Sequence, residues 1–336
     1  MSASDPVRIG INGFGRIGRC AFRSALNNDD VEIVGINDVM DFEQMEYLAK
    51  YDSNLGNLPY DVSLDGDTLQ VGDNAVSLHN IQSPEELPWD DLDVDVAIES
   101  TGIFRTKDDA SAHLDAGADK TLISAPPKGD KPVPQFVFGV NEDEYDGEDI
   151  VSGASCTTNS VSLPMYVLLE EFGVEAAEMT TIHAYTGSQS IVDGPKSKTR
   201  RGRAAAENIV PTTTGASTAT TDILPELKGK FEAMAVRVPT PTGSITEIVV
   251  DLEGNPSVDE INAAFEEYAT GELEGSMGAT WDEVVSRDIV GWEYGSCVDL
   301  DQTSTTEGGD LAKIFAWYDN EMGYTSQMMR LAEYIA

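Results

Sequence analysis

The sequence predicts an α/β domain with a doubly wound parallel sheet, followed by an α+β domain with a mostly antiparallel sheet. The 336 residues are enough for two domains of about 150 residues each. In the first half, short β-branched runs alternate with helical patterns, whereas long runs of alternating apolar and polar residues dominate the second half. This change of pattern near residue 150 predicts a domain boundary.

The composition is strongly acidic. Sixty acidic residues stand against 21 basic ones, which leaves a formal charge of -39, and the acidic residues are spread along the chain. Such a surface repels nucleic acid and acidic membranes, so we expect no nucleic-acid or membrane partner. No apolar run approaches the roughly 18 residues that cross a bilayer. Distributed acidity is typical of a salt-loaded cytoplasm, because the charges would repel one another strongly at low salt.

The cysteines and the first residues bear on the cellular compartment. Cys20, Cys156 and Cys297 are too few and too scattered for a disulfide framework, which indicates a reducing environment. The opening MSASDPVRIG has no basic stretch followed by an apolar run, so we expect no secretory signal. A cytoplasmic location is therefore predicted.

The first half begins with a β-α-β unit. A strand is predicted over residues 7–13, a helix from about 16 to 26 and a second β-branched strand over 31–37. Strands that alternate with helical segments indicate a parallel sheet with helices on both faces. Further strands are predicted at 95–100, 120–125 and 136–141.

The second half has the alternating pattern of an antiparallel sheet with one covered face. The segment 187–210 is too long for an ordinary connection, so we expect it to be functional. The last residues, EMGYTSQMMRLAEYIA, predict a closing amphipathic helix. Strands are predicted at 180–186, 231–240, 244–252, 289–300 and 313–319.

A glycine-rich segment, G-F-G-R-I-G, follows the first strand directly and opens the first helix. Gly13 permits a tight turn, Gly15 lets a pyrophosphate approach the backbone, and Gly18 allows the helix to pack on the strand. The helix N-terminus offers free N–H groups to phosphates. Asp38 ends the second strand, where it can accept hydrogen bonds from a ribose. A dinucleotide site is predicted; the alternative is a plain sharp turn with a solvated Asp38.

Cys156 is the candidate nucleophile. It lies in the small, polar stretch SGASCTTNS with a helical run after it, and a helix N-terminus stabilises a thiolate. His183, in a predicted strand, is the available base, with a purely structural role as its alternative. Cys20 and Cys297 fit buried apolar positions. His79 and His113 lie in acidic segments that resemble surface.

A basic cluster stands out in this acidic chain. Five of the 21 basic residues fall within eight positions of the long loop. Arginine binds phosphate through two parallel hydrogen bonds, so the cluster is a candidate phosphate site. Arg237 and the hydroxyl-rich turn 211–215 are further phosphate candidates. Some of the cluster can equally be a solvated face. Its members are Lys196, Lys198, Arg200, Arg201 and Arg203.

Nearly end to end, the chain resembles phosphorylating glyceraldehyde-3-phosphate dehydrogenases. The motifs that carry the resemblance are INGFGRIGR, ESTGIF, ISAPPK, SGASCTTN, HAYTGSQ, RRGRAAAENIVPTTTGA, LPELKGK, AVRVPTP and WYDNEMGY. The resemblance implies an NAD(P)-binding Rossmann domain over 1–155, completed by the C-terminal helix 320–336, and a catalytic domain over 156–319. It also implies a homotetramer with the basic loop near a subunit interface.

The resemblance further implies a reaction in which Cys156 attacks the aldehyde of glyceraldehyde 3-phosphate and His183 takes the proton. Hydride passes to the nicotinamide, and inorganic phosphate releases 1,3-bisphosphoglycerate from the thioester, a reversible step of glycolysis and gluconeogenesis. The C3 phosphate would be held by Thr186, Arg201 and Arg237. The attacking phosphate would be held by Ser155, Thr157, Thr214 and Gly215, together with Arg237. The implied cofactor contacts are Gly13, Gly15, Arg16, Ile17, Gly18, Asp38, Ser124, Asn320 and Tyr324, and no metal is implied.

Two positions depart from the family pattern. Ser188 stands where many members have an acid, and Gly194 precedes Pro195 where NAD-using members often have a leucine. Asp38 favours NAD because its charge repels a 2′-phosphate, whereas Gly194 leaves room for one, so we expect NAD to be preferred and NADP to be used as well. The alternative functions are an erythrose-4-phosphate dehydrogenase and a dinucleotide-binding protein that no longer turns over.

Overall fold

The computed structural model describes residues 5–336, which separate into two compact units. Unit 1 consists of the residues up to Phe136, with Glu142–Ala154 and Met328–Ala336; unit 2 consists of Val137–Asn141 and Ser155–Gln327. Residues 1–4, the start of the segment that argues against a secretory signal, lie outside the described part of the chain. The predicted domain boundary at 155/156 stays a prediction.

Unit 1 is an open sheet with helices. Among residues 5–336, its strand order is β3-β4-β5-β2-β1-β6-β7-β8, with the bounds that follow. The elements are β1 (Val7–Asn12), α1 (Arg16–Ala25), β2 (Val31–Asn37), α2 (Phe42–Lys50), β3 (Val62–Asp65), β4 (Thr68–Val71), β5 (Asn74–His79), β6 (Val96–Glu99), α3 (Lys107–Ala110), α4 (Ala112–Asp115), β7 (Lys120–Ile123) and β8 (Ile150–Ser152), with 3₁₀ turns at Pro84–Glu86 and Glu142–Glu144.

The strands from β5 to β8 in this order pair in parallel, which confirms the predicted parallel core and its opening β-α-β unit. Their apolar side chains, such as Ile11 and Ile98, are fully buried, as expected where helices cover both faces. Asn12 lies in register with both Asn37 and Glu99, so the carboxyl ends of β1, β2 and β6 meet. The strand order reverses beside β1, and ligands bind at such a crevice.

Two features of unit 1 differ from the prediction. The strands β3, β4, β5 and β8 were not predicted; β3 pairs with β4, and β4 pairs with β5, both antiparallel. The strand predicted at 136–141 is wrong, because residues 137–141 form a turn. The side chain of Asn141 accepts the Val137 N–H at 2.9 Å, and Gly139 has a φ of +87°. Local side-chain bonding and a left-handed glycine thus override the apolar pattern.

Unit 2 is a mixed sheet with helices on one face. Its elements are α5 (Cys156–Phe172), β9 (Val174–Ala184), β10 (Val210–Thr212), α6 (Ala216–Ile223), β11 (Phe231–Val238), β12 (Ser244–Leu252), α7 (Val258–Ala269), β13 (Met277–Thr280), β14 (Ser296–Thr305) and β15 (Ala312–Tyr318), with 3₁₀ turns at Thr199–Gly202 and Pro225–Leu227. The last helix, α8 (Met322–Ile335), begins in unit 2, and its residues from Met328 onward belong to unit 1.

Among the described residues, this sheet has the order β10-β11-β9-β12-β15-β14-β13. The β9–β11 and β13–β14 pairs are parallel and the others antiparallel, so the predicted mostly antiparallel sheet is confirmed. Residues of β12 and β15 alternate between buried and half-buried, as the sequence pattern predicts. The strand predicted at 289–300 begins only at Ser296, because Trp292 closes a turn onto Ile289 and Gly291 has a φ of +89°.

Within residues 5–336, no helix is both long and apolar enough to cross a membrane. The same part of the chain contains no group of three or more histidine, cysteine, aspartate or glutamate side chains placed to hold a metal ion.

Candidate active site

The glycine-rich loop of unit 1 turns sharply from β1 into α1. Gly13 has a φ of +101°, and a Cβ placed there would lie 2.6 Å from the Thr101 nitrogen. A Cβ at Gly18 would lie 2.0 Å from the Gly13 carbonyl oxygen. Both positions therefore require glycine for reasons of space. A Cβ at Gly15 would meet no atom within 4 Å, so the loop is open to a ligand at this position.

A pocket of about 430 Å³ lies beside this loop at the carboxyl ends of β1, β2 and β6. Within the described chain, no side chain caps the N-terminus of α1 at Gly15, and a helix N-terminus of this kind attracts an anion. Ser124 directly follows β7, and its N–H bonds the Glu99 carbonyl at 3.0 Å. The pocket is lined by Asn12, Gly13, Gly15, Asn37, Asp38, Val39, Ile81, Gln82, Ser100, Thr101, Ile103 and Phe104.

Asp38 lines the pocket and also holds the loop together. Its carboxylate accepts the Phe14 N–H at 2.7 Å and the Met40 N–H at 3.1 Å. It remains partly exposed. Each carboxylate oxygen has further acceptor capacity, so the side chain can still accept hydrogen bonds from a ribose.

Arg16 and Ile17 form the first turn of α1. The Arg16 guanidinium pairs with the buried carboxylate of Asp52. Burial alone would raise the pKa of Asp52, but the Arg16 hydrogen bond and the backbone N–H groups of Leu55 and Asn54 outweigh it and lower the pKa. Because this pair occupies the guanidinium, the backbone N–H groups of Arg16 and Ile17 are the better candidates for a pyrophosphate contact.

In unit 2, Cys156 is the first residue of α5. The hydroxyl of Ser155 caps this helix by accepting the Thr158 N–H at 3.1 Å. The Sγ of Cys156 lies 3.5 Å from Nε2 of His183, which is buried in β9. Burial raises the pKa of the Cys156 thiol, whereas the Arg237 charge and hydrogen bonds from Thr157 act in the opposite direction. The two residues predicted as nucleophile and base therefore lie within reach of each other.

The two ring nitrogens of His183 have different surroundings. Its Nδ1 lies 2.6 Å from the Ala184 carbonyl oxygen, which can only accept, and 3.0 Å from Nη1 of Arg237, which can only donate. With the ring proton on Nδ1, toward the closer Ala184 carbonyl, Nε2 presents its lone pair to the Cys156 thiol. Burial and the nearby Arg237 charge lower the pKa of His183 to about 3. The imidazole is thus neutral near pH 7, as a general base must be.

Two guanidinium groups lie close to this pair. The parallel register of β9 and β11 places Arg237 beside His183, and its Nη1 donates to the Ala184 carbonyl at 2.9 Å. Arg237 Nε is buried without a hydrogen-bond partner in the described chain, as expected of a donor that awaits an anion. Burial and the Arg237 charge lower the pKa of Arg201, so the two cations act on each other. Such a pair favours a bound anion.

The other predicted phosphate ligands lie in the same unit, in different surroundings. Arg201 bonds the Thr212 hydroxyl at 3.1 Å and the Thr213 carbonyl at 3.0 Å. Thr186 bonds the Ser188 hydroxyl at 2.9 Å, at the position where the sequence departs from the family. Thr214 accepts the Ala216 N–H, and Gly215 is the exposed N-cap of α6.

Sequence reasoning missed Tyr318, which is buried behind the reactive pair. Its hydroxyl lies 2.7 Å from that of Thr181 and 3.2 Å from that of Thr157, so the predicted phosphate ligand Thr157 already has a partner. Its ring packs edge-on against His183 at 5.8 Å. Tyr318 lies in the WYDNEMGY motif, but a tyrosine in an alternating strand does not by itself indicate a site.

A short hydrogen-bond chain connects His183 to Asn320. The N–H of Ala184 donates to the Ser244 hydroxyl at 3.1 Å, and that hydroxyl donates to Asn320 Oδ1 at 3.0 Å. Ser244 was also missed in the sequence. Asn320, which precedes α8, and Tyr324, in the first turn of α8, are the predicted nicotinamide contacts, and both are buried.

Two expectations about histidines need correction. His113 was expected in a surface-like segment, but its side chain is fully buried. His79 is half-buried, and burial lowers its pKa. Cys20 and Cys297 are free and buried, as predicted. The hydropathy of its segment did not predict the burial of His113, because its hydrogen-bond partners, Trp89 and Glu99, come from other parts of the sequence.

Comparisons with known proteins agree with this geometry. Residues 7–107 match the family model described as glyceraldehyde 3-phosphate dehydrogenase, NAD binding domain, and residues 155–320 match the C-terminal domain of the same family. A glyceraldehyde-3-phosphate dehydrogenase from the halophilic archaeon Haloarcula vallismortis is 60% identical over 334 residues, 99% of both chains. Enzymes of that name from Geobacillus stearothermophilus and Bacillus subtilis are 46% and 45% identical over 332 residues, 98% of each chain.

Proposed function

Because the chain belongs to the glyceraldehyde-3-phosphate dehydrogenase family, we propose that it oxidises glyceraldehyde 3-phosphate with NAD(P) and inorganic phosphate to 1,3-bisphosphoglycerate. One observation carries the proposal. The Cys156 thiol lies at the N-terminus of α5, 3.5 Å from Nε2 of the neutral His183 imidazole. A thiol beside a base is a nucleophile for an aldehyde carbon.

The first step is the addition of Cys156 Sγ to C1 of the aldehyde. The S–H bond breaks, the S–C bond forms, and the thiol proton reaches the aldehyde oxygen by way of His183 Nε2, which gives a thiohemiacetal. This transfer uses the tautomer with the ring hydrogen on Nδ1, which the Ala184 carbonyl at 2.6 Å favours. The N-terminus of α5 stabilises the negative charge on sulfur during the attack.

Oxidation of the thiohemiacetal leaves a thioester on Cys156, while His183 takes the hydroxyl proton. NAD(P), when bound, accepts the hydride that leaves C1. The open backbone at Gly15 and the uncapped N-terminus of α1 fit the pyrophosphate of such a cofactor. Gly13, Arg16, Ile17, Gly18, Asp38 and Ser124 of unit 1 would hold it, and Asn320 and Tyr324 are proposed for the nicotinamide.

Two phosphate-binding sets serve the substrate and the attacking phosphate. Arg237 and Arg201 are positive groups of the same unit, and with Thr186 they would bind the C3 phosphate. The exposed N-terminus of α6 at Gly215 fits a second anion, which Ser155, Thr157 and Thr214 would bind together with Arg237. This inorganic phosphate attacks the thioester carbon, and Cys156 leaves as the thiolate. His183 then returns the proton to sulfur.

The proposal includes a homotetramer in a reducing cytoplasm. The face of the second sheet opposite its helices carries half-buried apolar residues, including Ile245, Val249, Phe315 and Trp317, which supports contact with another subunit. Three free cysteines suit a reducing compartment. Light scattering on the protein in molar KCl measures the mass; a monomer at micromolar concentration would contradict the tetramer.

NADH formation from aldehyde, phosphate and NAD in molar KCl tests the activity. Cys156→Ser should abolish turnover but leave dinucleotide binding intact, because a serine hydroxyl lacks thiolate character at neutral pH. His183→Asn should keep a residual rate about 10²- to 10⁴-fold lower. Cys297→Ser is the matched control, a buried cysteine outside the site.

Near-normal turnover in Cys156→Ser would overturn the mechanism. If the wild-type protein binds NAD but oxidises neither glyceraldehyde 3-phosphate nor erythrose 4-phosphate, it is instead a dinucleotide-binding protein. A higher kcat/KM with erythrose 4-phosphate than with glyceraldehyde 3-phosphate would reassign the substrate.

A further inference from the structure

A buried polar network in unit 1 lies under the dinucleotide pocket and has no place in the chemistry described above. It is built from Trp89, His113, Glu99, Asn12 and Asn37, all at most 3% exposed. Asn12 and Asn37 line the pocket, whereas Trp89 and His113 lie outside it. Burying this many polar groups is costly unless each is correctly paired.

The proton on His113 is determined by its neighbours. The indole N–H of Trp89 points at His113 Nδ1 over 3.1 Å, and an indole nitrogen can only donate. Nδ1 is therefore the acceptor, and the ring proton lies on Nε2. This nitrogen donates to Oε2 of Glu99 at 3.1 Å.

Glu99, at the end of β6, receives hydrogen bonds on both oxygens. Asn12 Nδ2 donates to Oε2 at 2.7 Å, and the N–H of Thr101 donates to Oε1 at 2.9 Å, with the Thr101 hydroxyl on the same oxygen. A carboxylate accepts and never donates. Each neighbouring group must therefore turn a hydrogen toward Glu99.

This requirement orients the floor of the pocket. Because the NH₂ group of Asn12 must face Glu99, its oxygen faces Asn37, which donates at 2.8 Å. Asn37 then exchanges two hydrogen bonds of 2.9 Å with the backbone of Ile81. The ends of three neighbouring strands and the segment around Ile81 are thus aligned by one carboxylate.

Glu99 also acts on the glycine-rich loop. It holds the backbone of Thr101, and Gly13 packs so closely on that backbone that a Cβ would lie 2.6 Å from the Thr101 nitrogen. The Ser100 hydroxyl donates to the Gly13 carbonyl at 2.7 Å. A shift of Thr101 would therefore displace the loop.

We infer that Glu99 and His113 are positioning residues for the dinucleotide: Glu99 aligns Asn12, Asn37 and Thr101 at the pocket, and His113, held in one tautomer by Trp89, orients Glu99. The inference rests on the proposed function, since it assigns the pocket to NAD(P). Neither residue touches the cofactor in this scheme.

Glu99→Gln tests the inference with almost no change of shape. The glutamine amide must direct its NH₂ group either at the Thr101 N–H or at the N–H groups of Asn12 and His113. Each of these groups donates a hydrogen bond to Glu99 in the native network, so two donors would face each other. The Kd for NAD, measured by calorimetry in molar KCl, should rise about 10- to 100-fold, the range expected for one or two misdirected buried hydrogen bonds. Glu333→Gln is the matched control, a half-buried carboxylate of unit 1 that accepts from Asn28 at 2.7 Å; it should leave the Kd unchanged.

A second pair of variants separates positioning from general stability. His113→Leu removes the donor to Glu99, whereas His113→Gln can place an amide N–H where Nε2 lies. The KM for NAD should rise in His113→Leu and return toward wild type in His113→Gln, while kcat and the alkylation rate of Cys156 stay unchanged in both. This pair decides the question if Glu99→Gln does not fold.

The outcomes distinguish this inference from the proposed function. No NAD binding by the wild-type protein would contradict the proposed function itself. Wild-type binding with an unchanged Kd in folded Glu99→Gln, or an unchanged KM in both His113 variants, would overturn the positioning role. A lower melting temperature in the variants, with Kd and KM unchanged, would also overturn the positioning role, because a network that only stabilises the fold predicts this combination.

Discussion

At the residue scale, Arg237 is the charged group that influences both partners of the reactive pair. Its charge lowers the pKa of Cys156 and of His183, although burial is the larger effect on both groups. It also carries the unpaired buried Nε that suggests an anion site. One side chain therefore connects thiol reactivity with substrate binding.

Replacing Arg237 should move the reactivity of the thiol to higher pH. In Arg237→Gln the nearby positive charge is lost, the thiolate becomes less favourable, and the pKa of Cys156 rises. The measurement is the rate of Cys156 alkylation by iodoacetamide as a function of pH. Arg203→Gln, which removes an exposed arginine paired with Asp193, is the control. A profile that coincides with wild type would show that Arg237 does not act on the thiol.

We propose that Asp38 decides the preference between NAD and NADP. We expect the wild type to prefer NAD with measurable NADP use, and Asp38→Gly or Asp38→Ser to shift the kcat/KM ratio toward NADP by about 10-fold or more, because a carboxylate facing a 2′-phosphate is repulsive. Asp38 also accepts the Phe14 and Met40 N–H groups, so the loop loses support in both variants.

Asp38→Asn separates the two effects, since it removes the charge but keeps an acceptor oxygen for the loop. Asp41→Asn removes a nearby charge outside the pocket and serves as the control. A wild-type kcat/KM that is higher with NADP than with NAD in molar KCl would show that Gly194, not Asp38, dominates the choice.

At the element scale, the long basic loop is held in shape by its own backbone. Ser190 N–H bonds the Arg201 carbonyl at 3.0 Å, and Gly194 N–H bonds the Gly202 carbonyl at 2.8 Å. A Cβ at Gly202 would lie 2.2 Å from the Gly194 carbonyl oxygen. The close approach of these two backbone segments therefore determines where Arg201 lies.

Gly202→Ala should displace Arg201 and weaken substrate binding. The added methyl group meets backbone, which cannot move aside without opening the loop, so we expect the KM for glyceraldehyde 3-phosphate to rise about 10-fold. Gly194→Ala is the matched control, because its Cβ would meet its nearest atom, the Ser190 hydroxyl, at 3.5 Å. The measurement is the KM for glyceraldehyde 3-phosphate from steady-state kinetics. Equal KM values in the two variants would show that the loop does not contribute to substrate binding.

At the scale of the whole molecule, a charge of -39 dominates behaviour in dilute buffer. The Debye length falls from about 30 Å at 0.01 M to about 3 Å at 1 M ionic strength, so mutual repulsion among the carboxylates weakens strongly in brine. We expect activity and quaternary structure to be lost on desalting. A melting temperature that is the same in dilute buffer and in molar KCl would contradict salt adaptation. Sucrose at equal osmolality is the control, because it screens no charge.

Part of this site could be read from the chain alone. The left-handed turn at Gly13, the requirement for glycine at 18, the start of a helix at Cys156 and the alternation in β12 all depend on neighbours a few residues away. The backbone dihedrals and the period of apolar residues express such short-range constraints directly. The sequence by itself therefore determined the glycine-rich loop, the helix that begins at Cys156 and the type of each sheet.

Other features were decided only when distant segments packed together. Thr157 and Tyr318 are 161 positions apart, and Asn12 and Glu99 are 87 positions apart. His113 lies in an acidic segment but is buried because Trp89 and Glu99 satisfy both of its nitrogens. No local pattern encodes such pairs, since a buried polar side chain is stable only when its partner arrives from elsewhere in the fold. Tertiary structure alone thus determined how the pocket floor is oriented and what surrounds the reactive pair.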